Sequence, residues 1–221
     1  MKQVIGHRGA AGLALENSKS ALQQAIAHGA STLEIDVRQS RDHKLVLCHD
    51  ADLNRMADDP RKVADLDWKE LSKLSLRDGS QLLSLEEALS LVGIHPMMVE
   101  MKEADTAELL IKVLDKFPDA QVSVASFKKP LLLELRANRP LLPLYVLEHT
   151  DALDGIQFAR RHKLQGIGLN FWLLSPLSYL QAQRAEVSVY VYTINHRFLG
   201  WFIRLLYPNA TICTDHPERF N

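Results

Sequence analysis

A regular alternation of two periodicities constrains this chain more than any other feature. Short, β-prone apolar runs occur at Gln3–Gly6, Thr32–Val37, Met97–Met101, Gln121–Ala125, Leu144–Leu147, Gly166–Leu169, Val187–Thr193 and Ala210–Cys213. Between them, apolar residues recur at helical spacing at about Ser18–His28, Leu85–Leu91, Asp105–Phe117, Pro130–Ala137, Ala152–His162, Pro176–Arg184 and His196–Leu206. Strands that are apolar on both faces need cover on both, and a helical crossover between successive strands makes them parallel. Eight such units in 221 residues predict the α/β class and a (β/α)8 TIM barrel, below the ~250 residues typical of that fold. We expect one domain over residues 1–221. An open doubly wound sheet is the alternative, but no glycine-rich dinucleotide fingerprint follows the first strand.

Local signals agree with the alternation. Ser84-x-x-Glu87 reads as a capping box, Ser175-Pro176 places proline at a first helical position, and Asn17 can cap the first helix. The segment Phe198–Tyr207 is too short to span a bilayer and contains Arg204. Its stripe of Phe198, Trp201, Phe202, Leu205 and Leu206 predicts a core-facing helix, with an interfacial patch as the second reading. One stretch breaks the rhythm. Residues 39–83, after the second strand, hold an extra strand at Lys44–Cys48, a polar excursion and a short helix beginning near Asp67. In a barrel such an insertion would sit at the C-terminal mouth, where loops build sites.

Composition excludes several functions. With 26 basic and 27 acidic residues, a formal net charge of −1 and no basic block, nucleic acid is not an expected partner. Two cysteines, Cys48 and Cys213, lack metal-ligand spacing and indicate no disulfide framework. No apolar stretch at the N-terminus resembles a signal peptide. The expectation is a cytoplasmic protein without stable membrane association.

The chemistry gathers at strand ends. Glu34 and Asp36 share one face of the second strand, because side chains alternate along a strand. Two carboxylates side by side in an apolar strand repel each other and lose hydration. A divalent cation can hold them, and so can a wet strand end or salt bridges to Arg8, Arg38 and Lys102; on residue chemistry alone these readings stay open. His7-Arg8 ends the first strand, His49-Asp50 the extra strand, Glu100-Met101-Lys102 the third and Thr214-Asp215 the last. Barrel enzymes place catalysis at that end of the strands. Two histidines beside three strand acids favour function over satisfied structural histidines.

The ordered pieces "GHRGA", "LEN", "LEIDV" and "LCHDADLNR" within Gly6–Arg55, followed by Glu-x-Lys, Tyr-Thr-Ile-Asn and Thr-Asp-x-Pro, resemble the glycerophosphodiester phosphodiesterase family over Gly6–Pro217. The resemblance implies the barrel, with Glu34, Asp36 and Glu100 as metal ligands, His7 and His49 as an acid–base pair, and Arg8 and Lys102 as phosphate contacts. It implies metal-dependent hydrolysis of a small-molecule glycerophosphodiester to glycerol 3-phosphate and an alcohol. An all-oxygen ligand set suits one Mg²⁺ or Ca²⁺. A lysophospholipase D-like phosphodiesterase and a non-catalytic phosphate-ligand binding protein are the alternatives. Ser18 replaces the family's usual threonine, His43 stands where a turn glycine is common, and Tyr192 takes the place of a frequent tryptophan.

Overall fold

The structure is a computed structural model that describes residues 3–220. Strand β1 (Val4–Gly6) leads through α1 (Lys19–Ala27) into β2 (Thr32–Gln39). The chain then leaves the ring. It forms β3 (Leu45–Leu47), a ribbon of β4 (Asp52–Leu53) and β5 (Asp59–Lys62) around α2 (Asn54–Ala57), and then α3 (Trp68–Leu71) and α4 (Leu85–Val92). Strand and helix then alternate through β6 (Met97–Met101), α5 (Ala107–Leu114), β7 (Val122–Ser126), α6 (Lys129–Asn138) and β8 (Leu144–Glu148). The last units are α7 (Ala152–Arg161), β9 (Gly166–Asn170), α8 (Pro176–Arg184), β10 (Ser188–Tyr192), α9 (Arg197–Leu206) and β11 (Ala210–Thr214).

Eight parallel strands, in the order β1-β2-β6-β7-β8-β9-β10-β11, close on themselves where β11 pairs with β1. β3 pairs antiparallel with the outer part of β2 and lies outside the ring. The expected (β/α)8 barrel is therefore the fold. One side-chain set on each strand packs outward against the helices in the main core, with Val4, Leu33, Ile35, Val99 and Val124 among it. The other set fills the barrel, where Ile5, Met98, Ala125, Leu147, Tyr190 and Cys213 form a smaller cluster. The chain between β2 and β6 closes over a third cluster that includes Val46, Cys48, Leu53, Met56 and Leu71.

The capping signals act as read at two helices. Ser84 accepts from the Glu87 amide while the Glu87 carboxylate accepts from the Ser84 amide, and Ser175 caps α8 with Pro176 at its first position. At α1 the cap is Ser18, not Asn17. Asn17 sits at φ 54°, in the left-handed region that asparagine tolerates, and its side chain turns toward Asp36. His43 adopts φ 63° in its turn and so keeps the conformation a glycine would take there.

Helix α9 overturns an expectation. Its apolar stripe faces outward: Phe198 is 69% exposed, and Trp201, Phe202, Leu205 and Leu206 are also exposed. The face turned inward carries Gly200 and Ile203. A Cβ on Gly200 would meet the Phe220 ring at 2.1 Å, so the helix needs its smallest residue there to approach that closely. A periodic stripe says which residues share a face, but not which face the rest of the molecule covers.

Candidate active site

The mouth of the barrel collects the polar strand ends. Arg8 and Gly9 both have positive φ, 52° and 83°. This sharp turn aims the Arg8 amide at Glu34 Oε2, 2.7 Å away. A Cβ on Gly9 would lie 2.6 Å from the Ala21 backbone, so only glycine lets the loop pass so close to α1. Parallel pairing sets Asp36 opposite Glu100, and Glu34 lies two residues earlier on the same face of β2. Glu34, Asp36 and Glu100 each present an oxygen within 4.8 Å of the others.

Asp36 is the most tightly held. Asn17 donates from Nδ2 to Asp36 Oδ2 at 2.9 Å and accepts the Asp36 amide at 3.0 Å. Lys102 Nζ lies 2.6 Å from Asp36 Oδ1 and also bonds Glu100; Arg8 Nε is 3.3 Å from Asp36 Oδ2. Burial opposes ionisation of Asp36, but Lys102 and Arg8 outweigh it and hold the carboxyl low. Glu34 goes the other way: burial, then the neighbouring Asp36 charge, pushes its carboxyl well up. Glu100 is raised chiefly by burial. Of the salt bridges that could hold the acids, those to Arg8 and Lys102 are present, whereas Arg38 pairs with Glu103 at 2.7 Å. Three buried carboxylates share two cations, and Asp36 Oδ1 is buried without a well-directed hydrogen bond. An oxygen-liganded divalent cation fits this donor set.

Each histidine has its own carboxylate. His7 Nδ1 is 2.6 Å from Asp215 Oδ1, and Asn195 holds Asp215 by donating Nδ2 to Oδ2 at 2.6 Å and accepting the Asp215 amide at 2.9 Å. Burial disfavours a charged His7, yet Asp215 and Glu34 more than compensate, so its pKa is raised. His49 Nδ1 is 2.7 Å from Asp50 Oδ1. Arg55 spans from Asp50, at 2.7 Å, to Glu16, which also binds Arg8 at 2.9 Å. Burial, with Lys102 and Arg8 nearby, leaves the His49 pKa lowered.

His7, Arg8, Glu34, His49, Glu100 and Lys102 line one cavity of about 180 Å³. Its far wall is apolar and includes Phe127, Leu147, Tyr190 and Tyr192. The Tyr192 hydroxyl donates to the Glu148 carbonyl at 3.1 Å and is turned away from reaction. Burial pushes the Cys48 thiol up to about 12 and holds the Cys213 thiol well above its ordinary value, so neither is a nucleophile near neutral pH. A larger groove of about 520 Å³ lies at the opposite end of the barrel, near Phe117 and Leu141, where Asp115 and Arg139 are spent on each other.

The structure thus brings His7, His49, Arg8, Lys102, Glu34, Asp36 and Glu100 together. Sequence reasoning gave no site role to Glu16, Arg55 and Asn195, read Asn17 only as a helix cap, and named Asp215 only as a polar strand end. Their signal was present, since Glu-Asn, Tyr-Thr-Ile-Asn and Thr-Asp stand among the ordered pieces, but partners so remote in sequence show no spacing to read.

Comparison with known proteins places these observations. The model of the glycerophosphoryl diester phosphodiesterase family matches residues 7–219. A Rattus norvegicus protein named lysophospholipase D GDPD1 is 42% identical over 89% of this chain and 67% of its own length. The glycerophosphodiester phosphodiesterase of Bacillus subtilis (strain 168) is 24% identical over 98% of this chain and 84% of that one. A phosphodiesterase of Oleispira antarctica, solved in complex with the product sn-glycerol-3-phosphate, has TM-score 0.90 and 22% identity, covers 99% of this chain and 95% of that chain, and is alike in fold.

Proposed function

The chain belongs to the glycerophosphoryl diester phosphodiesterase family, and on that premise we propose that it hydrolyses glycerophosphodiesters to glycerol 3-phosphate and an alcohol, with His7 and His49 as the acid–base pair. The observation that carries this reading is the cavity lined by two histidines of opposite pKa direction, by Glu34 and Glu100, and by Arg8 and Lys102, both of which also pair with the buried Asp36. We read Glu34, Asp36 and Glu100 as ligands of one Mg²⁺ or Ca²⁺, which when bound would supply positive charge to the phosphate oxygens.

Arg8 and Lys102 face the same space and would bind the other phosphate oxygens, opposing the charge that grows in the transition state. A glycerophosphodiester carries a hydroxyl on the carbon adjacent to the one that bears its phosphorylated oxygen. His49, biased toward the neutral form, takes that proton, and the freed oxygen attacks phosphorus. The bond from phosphorus to the alcohol oxygen breaks as His7, biased toward the charged form, gives its proton to that oxygen. The resulting cyclic phosphate opens when the histidines exchange roles and a water is deprotonated by His7. Well-oriented intramolecular attack lowers a barrier by ~7–11 kcal/mol, which favours it over recruiting water in the first step.

Residues 1–221 are read as one domain with an insertion at about 39–83; Met1, Lys2 and Asn221 lie outside the described residues. No described helix is long and apolar enough to cross a membrane, and any lipid contact in this reading is transient. The free, buried state of Cys48 and Cys213 supports a cytoplasmic setting. A second reading, cleavage of lysophospholipid head groups, is favoured by the exposed Phe127 beside the cavity and by the relative of that name.

Glycerol 3-phosphate release from glycerophosphoethanolamine, measured after chelation and again with Mg²⁺ or Ca²⁺ restored, tests the proposal. Release that returns with either ion is expected. None with any divalent metal would leave a binding protein, and a strong preference for long-chain lysolipids would move the substrate to the second reading. Turnover of a substrate lacking the neighbouring hydroxyl at a comparable rate would make water the direct nucleophile.

A further inference from the structure

Among the described residues, fifteen large apolar side chains are exposed, and eight of them fall between Trp172 and Leu206. They are not scattered. Phe198, Trp201, Phe202, Leu205 and Leu206 form the outer face of α9. Leu177 and Leu180 lie on the outer side of α8, and Trp172, 81% exposed, lies in the turn Phe171–Leu173 that follows β9. The turn that ends α9 is held to α8: Tyr179 stacks edge-on against Tyr207 at 5.1 Å, and Asn209 Nδ2 donates to Gln183 Oε1 at 2.9 Å. Because β9, β10 and β11 are neighbours in the ring, the outer faces of α8 and α9 lie on the same flank of the barrel. A contiguous apolar surface of this extent on a soluble domain marks a site of association.

We propose that the α8–α9 flank is a peripheral docking surface for an anionic lipid membrane. Charge is the first ground. Residues 171–206 contain Arg184, Arg197 and Arg204 against one acid, Glu186, in a chain whose overall charge is nearly balanced; Arg204 is turned to the Phe220 carbonyl, which leaves Arg184 and Arg197 as the exposed cations. Arg184 and Arg197 are exposed at the borders of the apolar face. Apolar and aromatic side chains on one face with arginine beside them match the boundary between acyl chains and anionic head groups. Two exposed tryptophans belong to the same environment, since their rings are apolar and their N–H stays wet.

Continuity with the active site is the second ground. The flank begins at the barrel mouth, because Trp172 follows β9 and Phe198 follows β10. A cavity of about 180 Å³ has room for a glycerophosphate, so the remainder of a larger diester must leave through the mouth, at which the loops of Trp172 and Phe198 begin. Pairing of two copies through the same face fits less well: a two-fold contact presents each copy with the same two exposed arginines, and it would cover that edge of the mouth. The docking stands whichever diester is cleaved; its use in delivering substrate rests on the function proposed above.

Vesicle flotation tests it, with phosphatidylglycerol and phosphatidylcholine in equal parts compared with phosphatidylcholine alone. The protein should float with the anionic vesicles about tenfold or more better than with the neutral ones, with a blue shift of tryptophan emission. A Phe202→Glu/Leu205→Glu double variant, altered only at exposed positions, should lose that binding while hydrolysing soluble glycerophosphoethanolamine as before. Absence of binding to either vesicle, or equal binding by wild type and variant, overturns the proposal. So does a concentration-dependent dimer in sedimentation velocity that the variant abolishes and vesicles leave unchanged, because the face then belongs to a second copy. Vesicle binding without glycerol 3-phosphate release from any diester supports the docking and overturns the catalytic reading alone.

Discussion

His7 and His49 have the same side chain and differ in what surrounds them. Asp215 and Glu34 face His7 and favour its charged form; Lys102 and Arg8 lie near His49 and, with burial, favour its neutral form. A raised folded-state pKa contributes stability that is fully present below the unfolded value of about 6.5 and is lost as pH rises through the folded value. If His7 is the acid, its deprotonation sets the basic limb of the kcat/KM profile. Asp215→Asn keeps the shape but removes the charge, so the His7 pKa should fall and that limb should move to lower pH; an NMR titration of His7 beside the pH–rate profile checks both. His7→Ala and His49→Ala should each remove most of kcat, and the double variant should lose far less than the product of the two, since groups in one proton-transfer cycle are not additive. Single-turnover assays on the four proteins measure this, and near-normal turnover in either single variant removes that residue from the mechanism.

At the scale of elements, short backbone devices position the site. The left-handed turn at Arg8-Gly9 points an amide at Glu34, and the left-handed Asn17 frees its side chain to grip Asp36. His43 carries the same conformation outside the site, between β2 and β3. A non-glycine residue there costs roughly 1–2 kcal/mol, of which glycine's greater unfolded-state freedom takes back about 0.4–1. His43→Gly should therefore stabilise the protein by about 0.5–1 kcal/mol without changing turnover, as urea unfolding with an unchanged m-value would show. The adjoining excursion also reaches the mouth: Arg55, from α2, bonds Asp50 and Glu16 and so ties this segment to the loop that carries Arg8.

For the whole molecule, the barrel concentrates like charge where the fold gains least from it. Glu34 is fully buried beside Asp36, and its raised pKa means that ionised Glu34 opposes folding above the ordinary carboxylate range. A ligand that binds only the folded state offsets this by mass action, about 2.7 kcal/mol at a hundredfold excess over Kd. Adding Mg²⁺ or Ca²⁺ to chelated protein should raise Tm by several degrees with no change in far-UV circular dichroism. Glu34→Gln should raise the Tm of the chelated protein, abolish that response and abolish turnover. A variant that keeps both the metal response and wild-type activity would remove Glu34 from the ligand set.

The chain order alone determined the barrel, because two-faced apolar strands separated by helices have few ways to cover themselves. The alternation within β2 and β6 likewise placed Glu34, Asp36, Glu100 and Lys102 at one end of neighbouring strands, where side-chain direction follows from counting in twos. Tertiary structure alone decided what closes around them. Asn17 becomes the partner of Asp36, and Asp215, held by Asn195, the partner of His7, only when β1, β2, β10 and β11 meet, and no local pattern encodes contacts across 208 residues. It also decided the direction of α9. Its apolar stripe was plain in the sequence, but the side that met the barrel was the one whose Gly200 allowed close approach to Phe220, leaving the bulky stripe to face outward.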